Sequence, residues 1–305
     1  MTKISVIIPT RNRAEMLQRA IESAENAGKD IEIIVVDDAS TDETESSCRN
    51  SAGIVYLRMG SNVGLARARN AGISKSTGEF IAFLDDDDLR LPGSLDVQAK
   101  MLERNETLGF VYGQVQIGDP KTCLPTGEVR PGRCPTGDIF WQLLRGNFIY
   151  VPSVLVRKQR LEAIGLFAQD VPGTEDWDAW LKLAATFTVD AVQEPVGVYR
   201  DFTRGSGQMS SNLPRMCKSG VRTHDRALRS SRALAASQEM RREQRCEFMN
   251  AVWDALVMEG YNSLSERKLR YAAKNYITAM QLHPKRAARF GAVSNFVRSI
   301  VSHGR

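Results

Sequence analysis

Over the first 120 positions, unbroken apolar runs alternate with helix-spaced apolar stripes. Ile4 to Ile8 is a β-branched run closed by Pro9-Thr10, and Ile31 to Val36 is a second, closed by Asp37-Asp38. Ile54 to Leu57 and Phe80 to Leu84 follow, the latter running into Asp85-Asp86-Asp87-Asp88. Between them, Met16, Leu17, Ala20 and Ile21 recur at helical spacing from Ala14 to about Asn26. Leu65, Ala68, Ala71 and Gly72 form a small-residue face from Gly64 to Ser76. A strand that is apolar at consecutive positions is buried on both faces. The alternation therefore predicts an α/β fold with a mostly parallel sheet covered by helices.

Further along, Phe110 to Ile117 and Ile149 to Val156 read as strands, and residues 118–138, rich in Pro, Gly and Thr, as a loop or small hairpin. Trp177 to Ala185 reads as a helix, then Thr188 to Val192 and Val196 to Tyr199 as two short strands. From about Pro214 the strand runs vanish and helical periodicity takes over. A Gly/Ser-rich linker, Gly205 to Ser211, marks the change, and divides a first domain, 1–210, from a helical extension, 211–305. Leu269 to Met280 resembles one helix of a tetratricopeptide repeat, but no period accompanies it, so a helical hairpin packed on the main domain is expected.

Composition narrows the class. With 42% hydrophobic and 25% charged residues, the chain is an ordinary globular one. No run of about 18 apolar residues exists to span a membrane. The apolar run near the N-terminus stops at Pro9, too short for a secretory signal. Five cysteines, none at C-x-x-C spacing, argue against zinc and a disulfide framework and for a reducing, cytoplasmic setting. The net charge of +5 hides a split: residues 1–200 carry 22 basic against 28 acidic residues, and residues 201–305 carry 19 against 8. Two readings of the basic part stay open, a solvated helical surface and a site for an anionic partner. From His283 onward, Arg286, Arg289 and Arg298 are interspersed with Phe290, Val293, Phe296, Val297, Ile300 and Val301. Such a tail either packs on the protein or lies on the inner face of a membrane as a peripheral contact. No nucleic-acid-binding pattern is present, so nucleic acid is not an expected partner.

The chemistry points to the acidic residues. Asp37-Asp38 and Asp85 to Asp88 both end apolar strands, the edge at which open α/β sheets bind ligands. Consecutive carboxylates repel by roughly 1 kcal/mol per close pair even in water, so such a cluster calls for a cation or backbone donors. Hard oxygen ligands of this kind suit Mg²⁺ or Mn²⁺. Pro9-Thr10-Arg11-Asn12-Arg13 stands where a dinucleotide fold carries its glycines, and neither a P-loop nor a G-x-S-x-G elbow occurs. NAD-type, P-loop and Ser/His/Asp chemistries are excluded on that ground.

Five segments in order resemble family 2 glycosyltransferases. They are Val6 to Arg13, Ile34 to Asp42, Asn62 to Gly72, Phe83 to Asp88 and Thr174 to Leu181, with Val198-Tyr199-Arg200 as the strand that follows. The resemblance covers residues 1 to about 205 and implies a GT-A fold: a Rossmann-like sheet that binds a nucleotide sugar, here with a C-terminal helical extension. It implies an inverting, metal-dependent transfer from a nucleotide sugar, UDP-linked by preference, to an acceptor hydroxyl. The acceptor would be a glycan, a lipid-linked sugar or a small molecule, and a homo-oligomer is compatible with it. By the same resemblance Pro9, Thr10 and Asn12 line the nucleotide pocket, Asp38 accepts a hydrogen bond from the base, and Asp37 orients the loop. Arg67 or Arg69 lies near the phosphates, with a structural ion pair as the other reading. Asp85 and Asp87 form the DxD pair. Asp85 and Asp86 fall on the donor side, although an extended segment would point Asp86 away, and Asp87 with Asp88 falls on the metal. Asp176 is the expected general base. Glu175 and Asp178 read as ion-pair partners or helix-start charges, Asp42 as a cap, and Trp177 and Trp180 as core or acceptor wall. Arg200 meets either the diphosphate or the acidic motif, with a buried ion pair as the other reading. The family's histidine after the Tyr-Arg pair is missing here. Two alternatives are a sugar-phosphate nucleotidylyltransferase and a non-catalytic binding protein; the first lacks its Gly-rich loop after the first strand.

Overall fold

The structure, a computed structural model, describes residues 3–49, 53–201 and 212–288. The chain divides into two compact units, residues 1–203 and 204–305. In chain order the first unit contains β1 (Ile4–Thr10), α1 (Ala14–Glu25), β2 (Ile31–Asp37), α2 (Thr44–Arg49), β3 (Ile54–Arg58), α3 (Leu65–Lys75), β4 (Phe80–Phe83) and β5 (Leu89–Arg90). It continues with α4 (Ser94–Arg104), β6 (Leu108–Gly118), β7 (Pro125–Arg130), α5 (Phe140–Arg145), β8 (Leu155–Arg157), α6 (Lys158–Ala163), α7 (Glu175–Thr186) and β9 (Thr188–Arg200).

These strands form one sheet in the order β3-β2-β1-β4-β8-β6-β9-β5, with β7 hydrogen-bonded to β6. The half β3-β2-β1-β4 is parallel throughout. Its central strand β1 is buried at all seven positions, as a strand covered on both faces must be. In the other half β6 and β9 run parallel, while β8 is antiparallel to both β4 and β6. Register sets the position of the acidic residues. Thr10 lies opposite Asp37, and Ile7 lies opposite Phe83, so the C-terminal ends of β1, β2 and β4 form one edge. Helix α3 packs close to that half because Gly72 has no side chain. A Cβ there would stand 2.5 Å from Ile7 Cγ2. The core between sheet and helices includes Val6, Ile8, Leu17, Ile21, Val35, Ala82 and Leu102.

Several expectations needed correction. Ile149 to Val156 is not a continuous strand: a 3₁₀ turn over Val151–Ser153 precedes the three-residue β8, because Pro152 offers no N–H to a ladder. The two short strands expected at 188–199 are one strand, β9, whose register against β6 shifts around Gly113 and Gln114. Residues 118–138 do contain a hairpin, β6 with β7. Helices α2, α4, α5 and α6 were not anticipated.

The second unit contains α8 (Leu213–Ala227), α9 (Ser231–Leu234), α10 (Gln238–Ser265), α11 (Leu269–Leu282) and α12 (Pro284–Ala287). Asn212, Ser230 and Ser237 accept backbone N–H groups at the starts of α8, α9 and α10, the capping that short polar residues provide. Helices α10 and α11 pair as the expected hairpin around Val252, Trp253, Leu256 and Ala279, and Cys217 of α8 joins them. No helix among the described residues is long and apolar enough to cross a membrane. The linker Gly205 to Ser211 and the tail residues from Arg289 onward lie outside the described residues.

Candidate active site

Strand β4 delivers Asp85 to Asp88 to the sheet edge, and there the chain turns: Asp88 N–H donates to Asp85 O at 3.0 Å. An extended segment would send Asp86 away from its neighbours. The turn and the β1–β4 register instead bring it to Thr10, whose Oγ1 donates to Asp86 Oδ2 at 2.8 Å. Arg13 Nη1 bridges Asp86 Oδ1 at 2.8 Å and Asp87 Oδ2 at 3.0 Å. Arg200, at the end of β9, donates through Nη2 to the same Asp87 Oδ2 at 2.5 Å and through its backbone N–H to Asp88 Oδ1 at 2.8 Å. Arg200 is thus held in a largely buried ion pair with Asp87. Asp88 is buried, and its Oδ2 has no hydrogen-bond partner.

Beyond the end of β2, the two aspartates divide their work. Asp37 is fully buried and accepts from Ser40 N–H, Tyr56 OH and Arg58 Nη1 at 2.8, 2.5 and 2.9 Å, so it orients the loop. Asp38 accepts the backbone N–H groups of Val63 at 2.6 Å and Gly64 at 2.9 Å, tying this edge to the start of α3. Asn12 sits in the left-handed region at φ 55°. Its N–H reaches Ser40 Oγ, and its Oδ1 accepts Thr41 N–H at 2.7 Å, which joins the loops after β1 and β2. Pro9 is buried within β1. Asp42 caps as expected, accepting Thr44 N–H at 3.1 Å, and also accepts Ala14 N–H at 3.3 Å at the start of α1.

Helix α7 brings the second acidic group. Arg69 of α3 is 1% exposed and links the two groups: Nη2 donates to Asp85 Oδ1 at 2.7 Å and Nη1 to Glu175 Oε1 at 3.2 Å. Glu175 also accepts Gly173 N–H. Asp176 stays half-buried, and its Oδ2 accepts Asn147 Nδ2 at 3.2 Å. Asp178, which is buried, pairs with Lys182 at 2.8 Å one turn along α7. Arg67 contacts Gln169 at 2.7 Å. Both tryptophans are core residues. Trp177 donates to Leu143 O at 2.8 Å, and Trp180 is fully buried among Phe83, Phe110 and Phe167.

Crowding of carboxylates in a dry edge shifts their protonation. Burial raises Asp86 to about 6, against the pull of Arg13. Burial, with Asp87 and Asp85 close by, raises Asp88 well above the usual carboxylate range. Burial and then the Glu175 charge raise Asp176 to about 7, while Arg69 opposes the rise. For Arg69, burial works against the charge, but Asp85, Glu175 and Asp176 outweigh it and raise its pKa. Arg13 is raised in the same way by Asp86 and Asp87. Among the described residues no three His, Cys, Asp or Glu side chains stand together as a closed metal cage. Mg²⁺ rarely needs one: it takes one or two carboxylates and completes its shell with phosphates and water. The unpartnered, buried Asp88 Oδ2 beside Asp87 fits that mode of binding.

The sequence reading missed Arg13 and Asn147 as members of the site. Arg13 is legible only once β1 is known to pair with β4. Asn147 lies in an irregular segment with no signal of its own.

A profile described as Glycosyl transferase family 2 matches residues 5–151. The Bacillus subtilis protein named uncharacterized glycosyltransferase YwdF is 30% identical over 211 residues, 68% of this chain and 77% of that protein. The Campylobacter jejuni GalNAc(5)-diNAcBac-PP-undecaprenol beta-1,3-glucosyltransferase is 42% identical over 123 residues, 38% of this chain and 39% of its own. The chain spans between 29% and 66% of the length of six uncharacterized glycosyltransferases of Rickettsia and Haemophilus influenzae. Among solved structures, the mannosyltransferase PcManGT from Pyrobaculum calidifontis, in complex with GDP-Man and Mn²⁺, is similar with a TM-score of 0.60 at 20% identity, over 100% of this chain and 81% of its own. S. aureus TarS 1–349 is similar at 0.60 and 17%, over 94% and 93%; TarS has also been solved with UDP and UDP-GlcNAc. At these identities the structural likeness establishes the fold, which is GT-A.

Proposed function

The chain belongs to glycosyl transferase family 2, and on that premise we propose that it transfers a sugar from a nucleotide donor, a UDP-sugar by preference, to an acceptor hydroxyl with inversion at the anomeric carbon. The observation that carries this reading is the joining of two acidic groups, the turn Asp85 to Asp88 and the α7 start, by the single buried Arg69. Neighbours in fold are solved with UDP, UDP-GlcNAc and GDP-Man, which supports a nucleotide-sugar donor.

In this reading the edge formed by Pro9, Thr10, Asn12 and Asp38 receives the nucleoside. Asp38 has acceptor oxygens only, which suits a base N–H. Asp85 and Asp86 face the ribose and diphosphate side, and Asp87 and Asp88 would hold Mg²⁺ or Mn²⁺. When bound, that cation neutralises charge on the departing diphosphate. Asp176 takes the acceptor's proton as the C1–O bond to the diphosphate breaks. A pKa of about 7 matches that task, since a base works best when it titrates near the working pH. Asn147 orients the carboxylate by donating to Oδ2. Attack from the face opposite the leaving group inverts the centre, so an α-linked donor gives a β-linked product.

The division of labour is part of the proposal: residues 1–210 carry the transfer, and residues 211–305 bear on acceptor or partner. The Campylobacter relative's name specifies a polyprenyl diphosphate-linked acceptor, which supports a lipid-linked acceptor among those expected. A cytoplasmic protein resting peripherally on the inner membrane face fits such an acceptor. The nucleotidylyltransferase alternative is disfavoured, because Thr10 and Arg13 hold carboxylates where that class needs a phosphate-binding loop. The test is a screen of nucleotide sugars with Mn²⁺ and Mg²⁺, with the anomer of any product assigned by NMR. A retained configuration, or pyrophosphate release from a nucleoside triphosphate, would overturn the reading.

A further inference from the structure

Three guanidinium groups face the acidic turn, and they are held differently. Arg69 is enclosed and pairs with Asp85 and Glu175. The Arg200 side chain is 10% exposed and is anchored a second time on Pro120 O at 2.8 Å. Arg13 is 33% exposed, and its Nη1 bridges Asp86 and Asp87, the side chain's hydrogen-bond partners among the described residues. It is the one best able to leave.

Asp87 Oδ2 already accepts from both Arg13 and Arg200, at 3.0 and 2.5 Å. A divalent cation coordinated by this oxygen would stand beside two guanidinium charges in a poorly solvated edge, where like charges repel far more strongly than in water. Asp88 Oδ2, buried and unpartnered, is the acceptor that remains open to a cation. A nucleoside diphosphate changes the balance: it brings negative charge, and its phosphate oxygens suit the planar fork of an arginine.

We propose that Arg13 is an electrostatic latch, which occupies Asp86 and Asp87 and makes capture of the divalent cation conditional on a nucleoside diphosphate that draws the guanidinium away. The latch rests on the nucleotide-sugar reading of the same site and adds the order of assembly to it. Arg13 is thus a positioning residue. Because binding free energies are reciprocal, the nucleotide strengthens cation binding by the same factor as the cation strengthens nucleotide binding.

The test is titration of the full chain with Mn²⁺, followed by calorimetry and by the EPR signal of free Mn²⁺, alone and with UDP or, in parallel, GDP. The Mn²⁺–nucleotide complex in solution is subtracted. The unaltered protein should bind Mn²⁺ weakly alone and more tightly with nucleotide. Arg13→Gln should bind Mn²⁺ alone at least about tenfold tighter, about 1.4 kcal/mol, with the nucleotide enhancement reduced by a similar factor. Arg13→Lys, which keeps the charge, should restore the dependence on nucleotide, and thermal melts establish that each variant is folded. Unchanged or weaker Mn²⁺ binding by folded Arg13→Gln, with nucleotide still promoting capture, overturns the latch alone. If no folded protein binds Mn²⁺ with either nucleotide, both the latch and the metal-site reading fall.

Discussion

Asp176 and Glu175 are neighbours in sequence with opposite surroundings. Glu175 is enclosed and paired to Arg69, whereas Asp176 is half-buried and accepts from the amide of Asn147 and the Trp177 backbone. A carboxylate beside a paired one, whose nearest guanidinium, Arg69, is hydrogen-bonded to Asp85 and Glu175 instead, is the natural proton acceptor. Asp176→Asn should therefore lower transfer by about 10²–10⁴-fold, the usual worth of a general base, with UDP affinity within a few-fold of the parent. Loss of UDP affinity in parallel with rate would make the residue structural. The pH profile of kcat/KM should rise with pH through an acid limb near 7, since burial and Glu175 favour the protonated form. Removing the Glu175 charge favours ionisation of Asp176, so Glu175→Gln should move that limb to lower pH. A limb that stays in place, or moves up, would detach it from Asp176. The resemblance already separates Asp37, as the residue that orients the loop, from Asp38, as the acceptor for the base, although the two are adjacent and chemically identical. What divides them is which donors the fold places near each: Tyr56 and Arg58 for one, the 63–64 backbone for the other.

The parallel half of the sheet was the most legible element group, because burial on both faces leaves an unbroken apolar run that nothing else in the chain imitates. Helix α3 was legible by its small residues, and the structure gives their reason. Gly72→Ala places a methyl 2.5 Å from Ile7 Cγ2 and 3.2 Å from Val36 Cγ2, on two central strands that cannot retreat. The change should cost about 1–3 kcal/mol in urea unfolding, as overpacking of a close-packed core does. A neutral or stabilising result would show that α3 can move off the sheet. The antiparallel half was less legible. Strand β8 is three residues long and β5 is two; Pro152 interrupts the apolar run with a turn, and Pro195 breaks the pattern where pairing to β6 nevertheless continues. The periodicity of α4 was present in Leu95, Ala99 and Leu102 but was overlooked beside the stronger strand signals.

On the scale of the whole molecule, the two units answer to pH through different groups. In the helical unit His224 is 1% exposed, stacks on Phe248 with ring centroids 4.2 Å apart, and has no hydrogen-bond partner on either ring nitrogen. Burial lowers its pKa to about 4, with Asp225 opposing and Arg245 reinforcing the shift. Above about pH 6.5 the ring is neutral folded or unfolded. As pH falls from there toward 4, only the unfolded chain takes up the proton, so stability is lost across that window, by up to about 3 kcal/mol. Helical melting followed by circular dichroism should fall more steeply over this range in the parent than in His224→Phe, and equal slopes would refute the assignment. By itself the sequence determined the family, the parallel strands and the positions of the acidic residues. Those are properties of local pattern, strand burial and strand ends. Tertiary structure alone decided which carboxylate is clamped, bridged or left open. That choice depends on β1–β4 register and on Arg13, Arg69 and Arg200 arriving from three distant elements. Charge pairing acts over a few ångströms in space, and no spacing along the chain records it.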